Sequence, residues 1–452
     1  MSRSPFEIRG VIEGFYGHPW SHQQRLEIID FLGARGMNSF MYSPKDDPLL
    51  REQWQAAYDG AELERLTELV QRCHENGMEL TWCISPGLSI RYSDAGDVAA
   101  LNAKIGSVLA LGVTTIGLFL DDIPRELQHA QDQAAFPSLE AAHIALCNEV
   151  MGALPAGVGL LVCPTEYWGR GTEPSLAELG AGLDQHIDLF WTGRTICAAT
   201  LDLDDAVAFA RTAQRRPTYW DNYPVNDVAM GYELHIGPYR GRDPELWRAS
   251  RGIVANGMEL FEASKIPFAT IADYLRDPAG YEPETSWRQA MLDVVGPADL
   301  EAFAIFADNV RSSCLSADDA PEVDSALSRA SFELEFGERA VGVAQMRSLA
   351  DRLLVAADHL LHGPVVNQAL MAEIRPWLLG FEMGAEAISR IADLAAAGRL
   401  DEDGPAELAP FLIRQRRARV RVFGDALEMT LSVLSGTMFR PGEVPKQEGD
   451  AR

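Results

Sequence analysis

The sequence predicts an α/β protein in which a (β/α)8 barrel is followed by an α-helical bundle. Between about residues 6 and 277, short apolar strands alternate with amphipathic helices about eight times, which is typical of a closed parallel barrel. A polar residue stands at the carboxyl end of nearly every predicted strand, where a barrel carries its active site. Beyond about residue 282, strand signals stop and apolar residues recur at helical spacing. An open doubly wound sheet is the alternative for the first part.

The elements of the barrel follow from local signals along the chain. Ser21 and Gln24 have the spacing of a capping box for the first helix, and Gly77 and Gly112 end later helices. The strands are expected at residues 7–15, 39–43, 80–85, 115–120, 160–165, 189–192, 218–221 and 252–255. The polar residues at the strand ends are Tyr16, Lys45, Asp121, Tyr167, Asn222 and Asn256. A long loop through residues 237–241 precedes the last strand, and a helix near 264–275 closes the barrel.

The second part of the chain is predicted to be a stalk-like helical bundle. Helical apolar spacing is found at residues 300–310, 326–334, 346–361, 366–397 and 408–434. Pro376 is expected to kink or break the fourth of these helices, because proline cannot donate the backbone hydrogen bond. We therefore expect three segments: a catalytic barrel at 1–280, the bundle at 281–440 and a flexible tail at 441–452.

Composition excludes several classes of function. The 452 residues carry a formal net charge of −27, which disfavours nucleic acid and anionic membranes as partners. The six cysteines form no C-x-x-C pair, and no phosphate-binding glycine loop is found, so no metal or cofactor is expected. The amino terminus has no apolar signal core, and no run is long enough to span a bilayer. These features predict a cytoplasmic protein.

The strongest chemical feature is an apolar run, I-G-L-F-L, that ends in Asp121 and Asp122. Carboxylates at the end of a buried strand need partners or altered protonation, and two neighbours separate each other's titration. Alternatively, Asp122 caps the next helix and Asp121 forms a salt bridge. Adjacent Cα atoms lie only about 3.8 Å apart, so the two residues cannot easily flank a sugar from opposite faces. If the protein is a glycosidase, its nucleophile should come from elsewhere, such as a 2-acetamido group of the substrate.

An ordered set of motifs across the barrel resembles the family 84 glycoside hydrolases, which include O-GlcNAcases and bacterial β-N-acetylglucosaminidases. The motifs are V-I-E-G-F-Y-G-H-P-W at 11–20, Y-S-P-K-D-D at 42–47, L-D-D-I at 120–123, C-P-T-E-Y at 163–167, W-T-G at 191–193, W-D-N at 220–222, N-D at 226–227, G-P-Y at 237–239 and N-G-M-E at 256–259. The resemblance covers essentially the whole predicted barrel. Each motif alone is weak, but their order is specific.

The resemblance implies roles for nine residues. Asp121 would orient and polarise the acetamido N–H, and Asp122 would protonate the leaving oxygen and then activate water against an oxazoline intermediate. Tyr167 and Asn222 would lie near the acetamido group and the reacting centre, and Trp220 would form a wall of the N-acetyl pocket. The sugar hydroxyls would be held by the backbone of Gly14 and by Lys45, Asp227 and Asn256.

Several of these residues also have simpler structural interpretations. Gly14 could be required only for a backbone with positive φ, and Trp220 could be ordinary core. Lys45 could pair with Asp46 or Asp47, which form a rival pair of carboxylates. That pair is less suited to acid catalysis, because an adjacent lysine favours the ionised forms.

Three further residues of the motifs are predicted to be structural. Cys163 is interpreted as packing, because no histidine stands beside it in sequence to activate a thiolate. Glu13 and Glu166 are interpreted as partners of backbone or arginine groups.

The sequence therefore predicts a retaining β-N-acetylglucosaminidase that cleaves terminal β-linked GlcNAc by substrate-assisted catalysis. The predicted partner is a GlcNAc-bearing glycoside or glycoprotein, with a homodimer formed through the helical domain. Two alternatives stay open: a catalytically idle GlcNAc-binding or scaffold protein, and a hexosaminidase that acts on a polysaccharide or another amino sugar.

Overall fold

A computed structural model, which describes residues 4–434, contains a closed barrel of eight parallel strands in the order β1 to β8. The strands are β1 (Ile8–Glu13), β2 (Ser39–Tyr42), β3 (Glu79–Ile84), β4 (Thr115–Phe119), β5 (Gly159–Cys163), β6 (Ile187–Trp191), β7 (Thr218–Asp221) and β8 (Gly252–Asn256). The barrel closes where β1 pairs with β8, with Ile12 beside Asn256. The predicted fold class is confirmed, and the open sheet is excluded.

Helices connect the strands of the barrel, as expected for parallel neighbours. They are α1 (His22–Gly33), α2 (Gly60–Glu75), α3 (Ala95–Leu109), α4 (Ala130–Ala135), α5 (Leu139–Ala153), α6 (Pro174–Gly182), α7 (Leu203–Ala213) and α8 (Phe261–Arg276). The predicted capping box is present at the start of α1, where Ser21 and Gln24 each accept a hydrogen bond from the other's backbone N–H. The closing helix α8 begins three residues earlier than predicted and contains Pro267.

Successive side chains along each strand point alternately into and out of the barrel, which divides the core into an inner and an outer part. Phe119 belongs to the cluster inside the barrel, whereas its neighbours Leu118 and Leu120 pack in the outer core, which includes the surrounding helices. The inner cluster consists of Ile12, Met41, Cys83, Phe119, Leu161, Cys163, Phe190, Trp220 and Val254. Because side chains alternate with a period of two, Asp121 continues the inward-facing series at the carboxyl end of β4.

The chain divides into two compact units. The first contains the barrel and consists of Met1–Gly231, His235–Val294 and Ser313–Ala317. The second consists of Tyr232–Leu234, Val295–Ser312 and Asp318–Arg452. The predicted tail at 441–452 lies outside the described residues. No helix among residues 4–434 is long and apolar enough to cross a membrane.

The second unit is helical as far as residue 434. Helix α9 (Pro283–Val295) belongs to the first unit except for its last residue. The second unit contains α10 (Leu300–Asp308), α11 (Pro321–Glu335), α12 (Arg339–His362), α13 (Gln368–Glu373), α14 (Arg375–Ala396), α15 (Leu400–Arg417) and α16 (Ala426–Leu434). Pro376 lies in the first turn of α14, just after the break at Ile374, so the predicted interruption is confirmed. The single helix predicted at 408–434 is wrong. It is divided between α15 and α16, and Phe423 and Gly424 adopt positive φ in the break.

Candidate active site

A cavity of about 660 Å3 opens at the carboxyl ends of the strands. All nine residues that the sequence singled out line it: Gly14, Lys45, Asp121, Asp122, Tyr167, Trp220, Asn222, Asp227 and Asn256. The barrel brings them together because the carboxyl ends of parallel strands meet at one rim. They come from the loops or ends of β1, β2, β4, β5, β7 and β8, which are far apart in sequence.

Asp121 and Lys45 form a buried ion pair in the wall of this cavity. Lys45 Nζ lies 3.0 Å from Asp121 Oδ2, and the two side chains are only 5% and 7% exposed. Burial opposes the charged lysine, but Asp121, Tyr16 and Asp122 together outweigh it and raise the pKa of Lys45 above its usual value. Asp121 Oδ1 is also buried, yet it accepts no hydrogen bond from any residue between 4 and 434. One oxygen of Asp121 is thus fixed while the other is an unused acceptor.

The alternative pairing of Lys45 with Asp46 or Asp47 is wrong. Asp47 instead accepts a hydrogen bond from the Tyr42 hydroxyl at 2.9 Å, and neither of these aspartates lines the cavity. Lys45 pairs with Asp121 because the fold places both residues at the same rim of the barrel, although they are 76 residues apart in sequence.

Asp122 has a more exposed position with different partners. Its Oδ2 accepts a hydrogen bond from the Tyr16 hydroxyl at 2.8 Å, and its Oδ1 accepts one from the Tyr167 hydroxyl at 3.3 Å. Lys45 Nζ lies 3.6 Å from Oδ2, and the side chain is 33% exposed. Asp122 has a φ of 53°, and the next helix begins only at Ala130, so Asp122 does not cap a helix. Neighbouring carboxylates therefore occupy distinct environments, one buried and paired and the other accessible.

Tyr16 is a cavity residue that the sequence reasoning missed as a site residue. Its backbone N–H donates to Asp227 Oδ2 at 2.7 Å, while its hydroxyl reaches Asp122 and accepts a hydrogen bond from Arg51 at 3.2 Å. Burial raises the pKa of Asp227. The available signal was the position of Tyr16 at a strand end, two residues after Gly14 in the same motif. Other lining residues that were missed come from loops: Trp168, Thr192, Thr195, Ile196, Cys197, Val225, Val228, Ala229 and Met230.

A chain of amide hydrogen bonds joins the ends of β1, β7 and β8. Asn256 Oδ1 accepts from the Gly14 N–H at 3.1 Å, and Asn256 Nδ2 donates to Asn222 Oδ1 at 3.1 Å. The Trp220 indole N–H donates to the same Asn222 oxygen at 2.9 Å. Asn222 Nδ2 in turn donates to the carbonyl of Ile196 at 2.8 Å. These bonds fix the orientation of each polar group before a ligand binds.

Glycine is required at position 14 because a larger side chain would not fit there, and not because of its backbone conformation. A Cβ at this position would lie 2.7 Å from Trp220 Cζ2, and Gly14 is not among the glycines with positive φ. The alternative of a positive-φ turn is therefore wrong. Trp220 itself packs at 5.3 Å, between ring centroids, against both Phe119 and Phe190, so it is inner core and cavity wall at once.

The remaining motif residues have structural contacts. Glu13 accepts two hydrogen bonds from Arg25, at 2.6 and 2.8 Å, and Glu166 is paired with Arg125 at 3.2 Å. Burial raises the pKa of the Cys163 thiol well above its usual value, which makes it a poor nucleophile. Within the described part of the chain, no group of three or more histidine, cysteine or acidic residues could hold a metal ion.

Comparisons with known proteins agree on one family. A family model described as beta-N-acetylglucosaminidase, NAGidase, matches residues 9–308. The chain is 33% identical to the protein O-GlcNAcase of Rattus norvegicus and 32% identical to that of Mus musculus, in each case over 273 residues. These alignments cover 59% of the chain but only 30% of each relative's length.

Two solved structures are similar over most of the chain. A mutant of the O-GlcNAc hydrolase of Thermobaculum terrenum matches with a TM-score of 0.90 and 33% identity, covering 95% of both chains. The protein CpGH84B matches with a TM-score of 0.85 and 26% identity, covering 96% of this chain and 78% of that one. The likeness thus extends past the barrel into the helical unit.

Proposed function

The chain belongs to the β-N-acetylglucosaminidases of glycoside hydrolase family 84, and on this premise we propose that it is a retaining enzyme whose nucleophile is the acetamido group of its own substrate. The proposed substrate is a terminal β-linked GlcNAc. The proposed intermediate is an oxazoline formed between the acetamido group and the anomeric carbon.

The observation that carries this proposal is the free oxygen of Asp121. Asp121 Oδ2 is held by Lys45 at 3.0 Å, while Oδ1 is buried at the cavity wall and accepts no hydrogen bond from residues 4–434. A buried acceptor without a donor costs about 1–3 kcal/mol, which a ligand N–H would recover. An acetamido N–H provides such a donor, and the charge of Asp121 would stabilise the positive charge that develops as the ring closes.

Asp122 is proposed as the acid and base. In the first step, the acetamido oxygen attacks the anomeric carbon while Asp122 transfers its proton to the departing glycosidic oxygen. In the second step, Asp122 takes a proton from water, which attacks the same carbon and reopens the oxazoline. Each step inverts the configuration at the anomeric carbon, so the two steps together retain it. The exposure of Asp122 and its hydrogen bonds from Tyr16 and Tyr167 support this role, because the group must exchange protons while staying in position.

A double-displacement mechanism with a carboxylate nucleophile is the competing chemistry. Asp227 is the third carboxylate of the cavity and the only other candidate among the lining residues of the described chain. Its Oδ2 already accepts the Tyr16 N–H, and we propose that it binds a sugar hydroxyl instead. The two mechanisms differ in one requirement, because only the substrate-assisted one needs the acetamido group.

The remaining residues are proposed to bind the sugar. Trp220 would pack against the N-acetyl methyl group, since an indole face suits an apolar surface. Asn222 would lie beside the acetamido group, and Gly14, Lys45 and Asn256 would join Asp227 around the hydroxyls. The amide chain among Asn256, Asn222 and Gly14 supports this assignment, because it orients polar groups in advance.

The test is hydrolysis of matched aryl glycosides. We expect turnover of an aryl β-N-acetylglucosaminide and none of the corresponding aryl β-glucoside. The single variants Asp121→Asn and Asp122→Asn should each lose most of the activity. Comparable rates on both glycosides, or wild-type activity in both variants, would refute the proposal. Binding of GlcNAc without turnover of any glycoside would favour an idle binding protein.

The natural context is also a proposal. We propose a GlcNAc-bearing glycoside or glycoprotein as substrate, a cytoplasmic location and a homodimer formed through the helical domain at 281–440. The strongly negative charge supports the absence of nucleic acid and membranes among the partners. Light scattering on the purified full chain tests the dimer.

A further inference from the structure

Three sulfur atoms from separate loops meet beside the cavity. Cys197 Sγ lies 3.9 Å from Met230 Sδ, and the thiol of Cys314 is in hydrogen-bond contact with Cys197. Cys197 follows β6, Met230 ends the short 3-10 helix Val228–Met230, and Cys314 belongs to the segment Ser313–Ala317. All three lie in the barrel unit, and Cys197 and Met230 line the cavity itself.

The spacing of these sulfurs suits a metal ion of low coordination number. A metal–thiolate bond is about 2.3 Å long, so three sulfurs placed trigonally around an ion lie about 4.0 Å apart. The separation of 3.9 Å between Cys197 Sγ and Met230 Sδ is close to that value. Both cysteines are free thiols and partly exposed, so an ion could reach them through the cavity.

The ligand set selects the kind of ion. Thiolate and thioether sulfurs are soft donors, which prefer Cu(I), whereas Zn(II) sites usually need four nitrogen, oxygen or thiolate ligands. Within residues 4–434, no group of three or more histidine, cysteine or acidic side chains is arranged to hold a metal ion. We propose that Cys197, Cys314 and Met230 form a binding site for Cu(I) in the wall of the cavity.

The local electrostatics favour binding of a cation. Asp221 and Asp227 act on Cys197 and Arg242 acts on Cys314, and because Arg242 is paired with Asp221 at 2.6 Å, Asp227 leaves the surroundings with a net negative charge. The hydrogen bond from the Cys314 thiol lowers the pKa of Cys197. The Cys197 thiol should therefore lose its proton before the Cys314 thiol does. Binding exchanges two thiol protons for one Cu(I), giving a bis-thiolate with one thioether ligand and a net charge of −1. Affinity should therefore increase with pH.

Binding of Cu(I) by the three sulfurs should change the shape of the active-site cavity. Cys314 Sγ lies 3.7 Å from the backbone oxygen of Asn222, and Asn222 Nδ2 holds the carbonyl of Ile196, the residue before Cys197. An ion bound by the three sulfurs would narrow the cavity and fix the loops that carry Asn222 and Ile196. We therefore expect Cu(I) to inhibit glycoside hydrolysis, an effect that rests on the proposed function, whereas binding itself does not.

The experiment is an anaerobic titration of the reduced full chain with Cu(I), in competition with the chromogenic chelator bicinchoninate. We expect one tight equivalent of Cu(I). Cys197→Ser and Cys314→Ser should each weaken binding by at least about 100-fold, because even loss of a neighbouring group that orients a ligand costs about 10–100-fold. Met230→Leu, which keeps the volume, should weaken it by about 10-fold. Cys73→Ser is the control, since Cys73 is buried in α2 away from the cavity.

Three results would overturn the proposal: no competition with the chelator, equal binding in Cys197→Ser and the parent, or a Cys197–Cys314 disulfide that resists reduction. Activity is measured on the same samples. Inhibition of the parent but not of Cys197→Ser supports the effect on the cavity. Tight binding of Cu(I) without inhibition supports the metal site but refutes its effect on the cavity. A parent chain without hydrolase activity refutes the proposed function but leaves the Cu(I)-binding result unchanged.

Discussion

Replacement of Asp121 by asparagine tests the proposed polarisation of the acetamido group. A positive charge developing about 4 Å from a carboxylate gains about 4 kcal/mol at an effective dielectric constant of about 20. The asparagine oxygen would keep a neutral hydrogen bond of about 1 kcal/mol. The net loss is about 3 kcal/mol, or about 100-fold in kcat. Lys45 keeps its charge at the same wall and would repel the developing positive charge, so the loss should not be smaller.

The assay is steady-state hydrolysis of an aryl β-N-acetylglucosaminide. Because the charge develops only in the transition state, kcat should fall while KM changes little. Asp47→Asn is the matched control, since Asp47 lies outside the cavity and belongs to the rival carboxylate pair. Thermal melting of both variants separates misfolding from lost chemistry. A loss of less than tenfold in folded Asp121→Asn, or an equal loss in Asp47→Asn, would refute the reasoning.

Three further predictions concern other parts of the protein. Asp122→Asn should lose at least about tenfold more activity on an alkyl glycoside than on a dinitrophenyl glycoside, because a good leaving group needs little acid assistance; equal losses would contradict its role as acid. Gly14→Ala, whose Cβ would lie 2.7 Å from Trp220, should cost about 1–3 kcal/mol of unfolding free energy and reduce activity. Gly106→Ala is its control, since the helical site has open space and alanine should stabilise it by about 1 kcal/mol. Burial lowers the pKa of His143 to about 3, so the unfolded state binds the extra proton below about pH 6.5 and stability falls as pH decreases from there toward 3. The loss due to this group should reach about 2–3 kcal/mol at pH 4.5 in denaturant titrations and should be absent in His143→Phe.

The architecture of the barrel could be predicted because its signals are local. Apolar runs, capping residues and helix-ending glycines placed all eight strands within a few residues of their positions. Pro376 likewise marked the break between α13 and α14 correctly, since proline acts on its own backbone. The break between α15 and α16 was missed because it depends on Phe423 and Gly424 adopting positive φ. Only glycine gives any sequence signal for that conformation.

The membership of the cavity followed from the motifs, but the contacts within it did not. The sequence left a pairing of Lys45 with Asp46 or Asp47 open as an alternative, whereas Lys45 pairs with Asp121, which is 76 residues away in sequence. A positive-φ turn was likewise open as an alternative for Gly14, because only the folded barrel brings Trp220 against it. Such alternatives stay open in the sequence where the determining neighbour is distant in the chain.

The loop residues of the cavity carried the least signal. Cys197 and Met230 have no motif spacing that links them, and each lies in a connection whose path depends on the rest of the barrel. Tyr16 could have been identified, since it stands at a strand end within a quoted motif. Its bridging of Asp122 and Asp227, however, depends on the closure of β1 against β8.

The central claim is that the acetamido oxygen of the substrate is the nucleophile. Its most direct test is kcat for a series of aryl β-glycosides whose N-acetyl group carries zero, one, two or three fluorine atoms. Fluorine withdraws electrons from the carbonyl and weakens its oxygen as a nucleophile without removing the amide N–H that Asp121 would accept. Attack by the acetamido oxygen predicts a steep and progressive decrease in kcat along the series. A rate that is independent of fluorination would contradict it and would favour a carboxylate nucleophile such as Asp227.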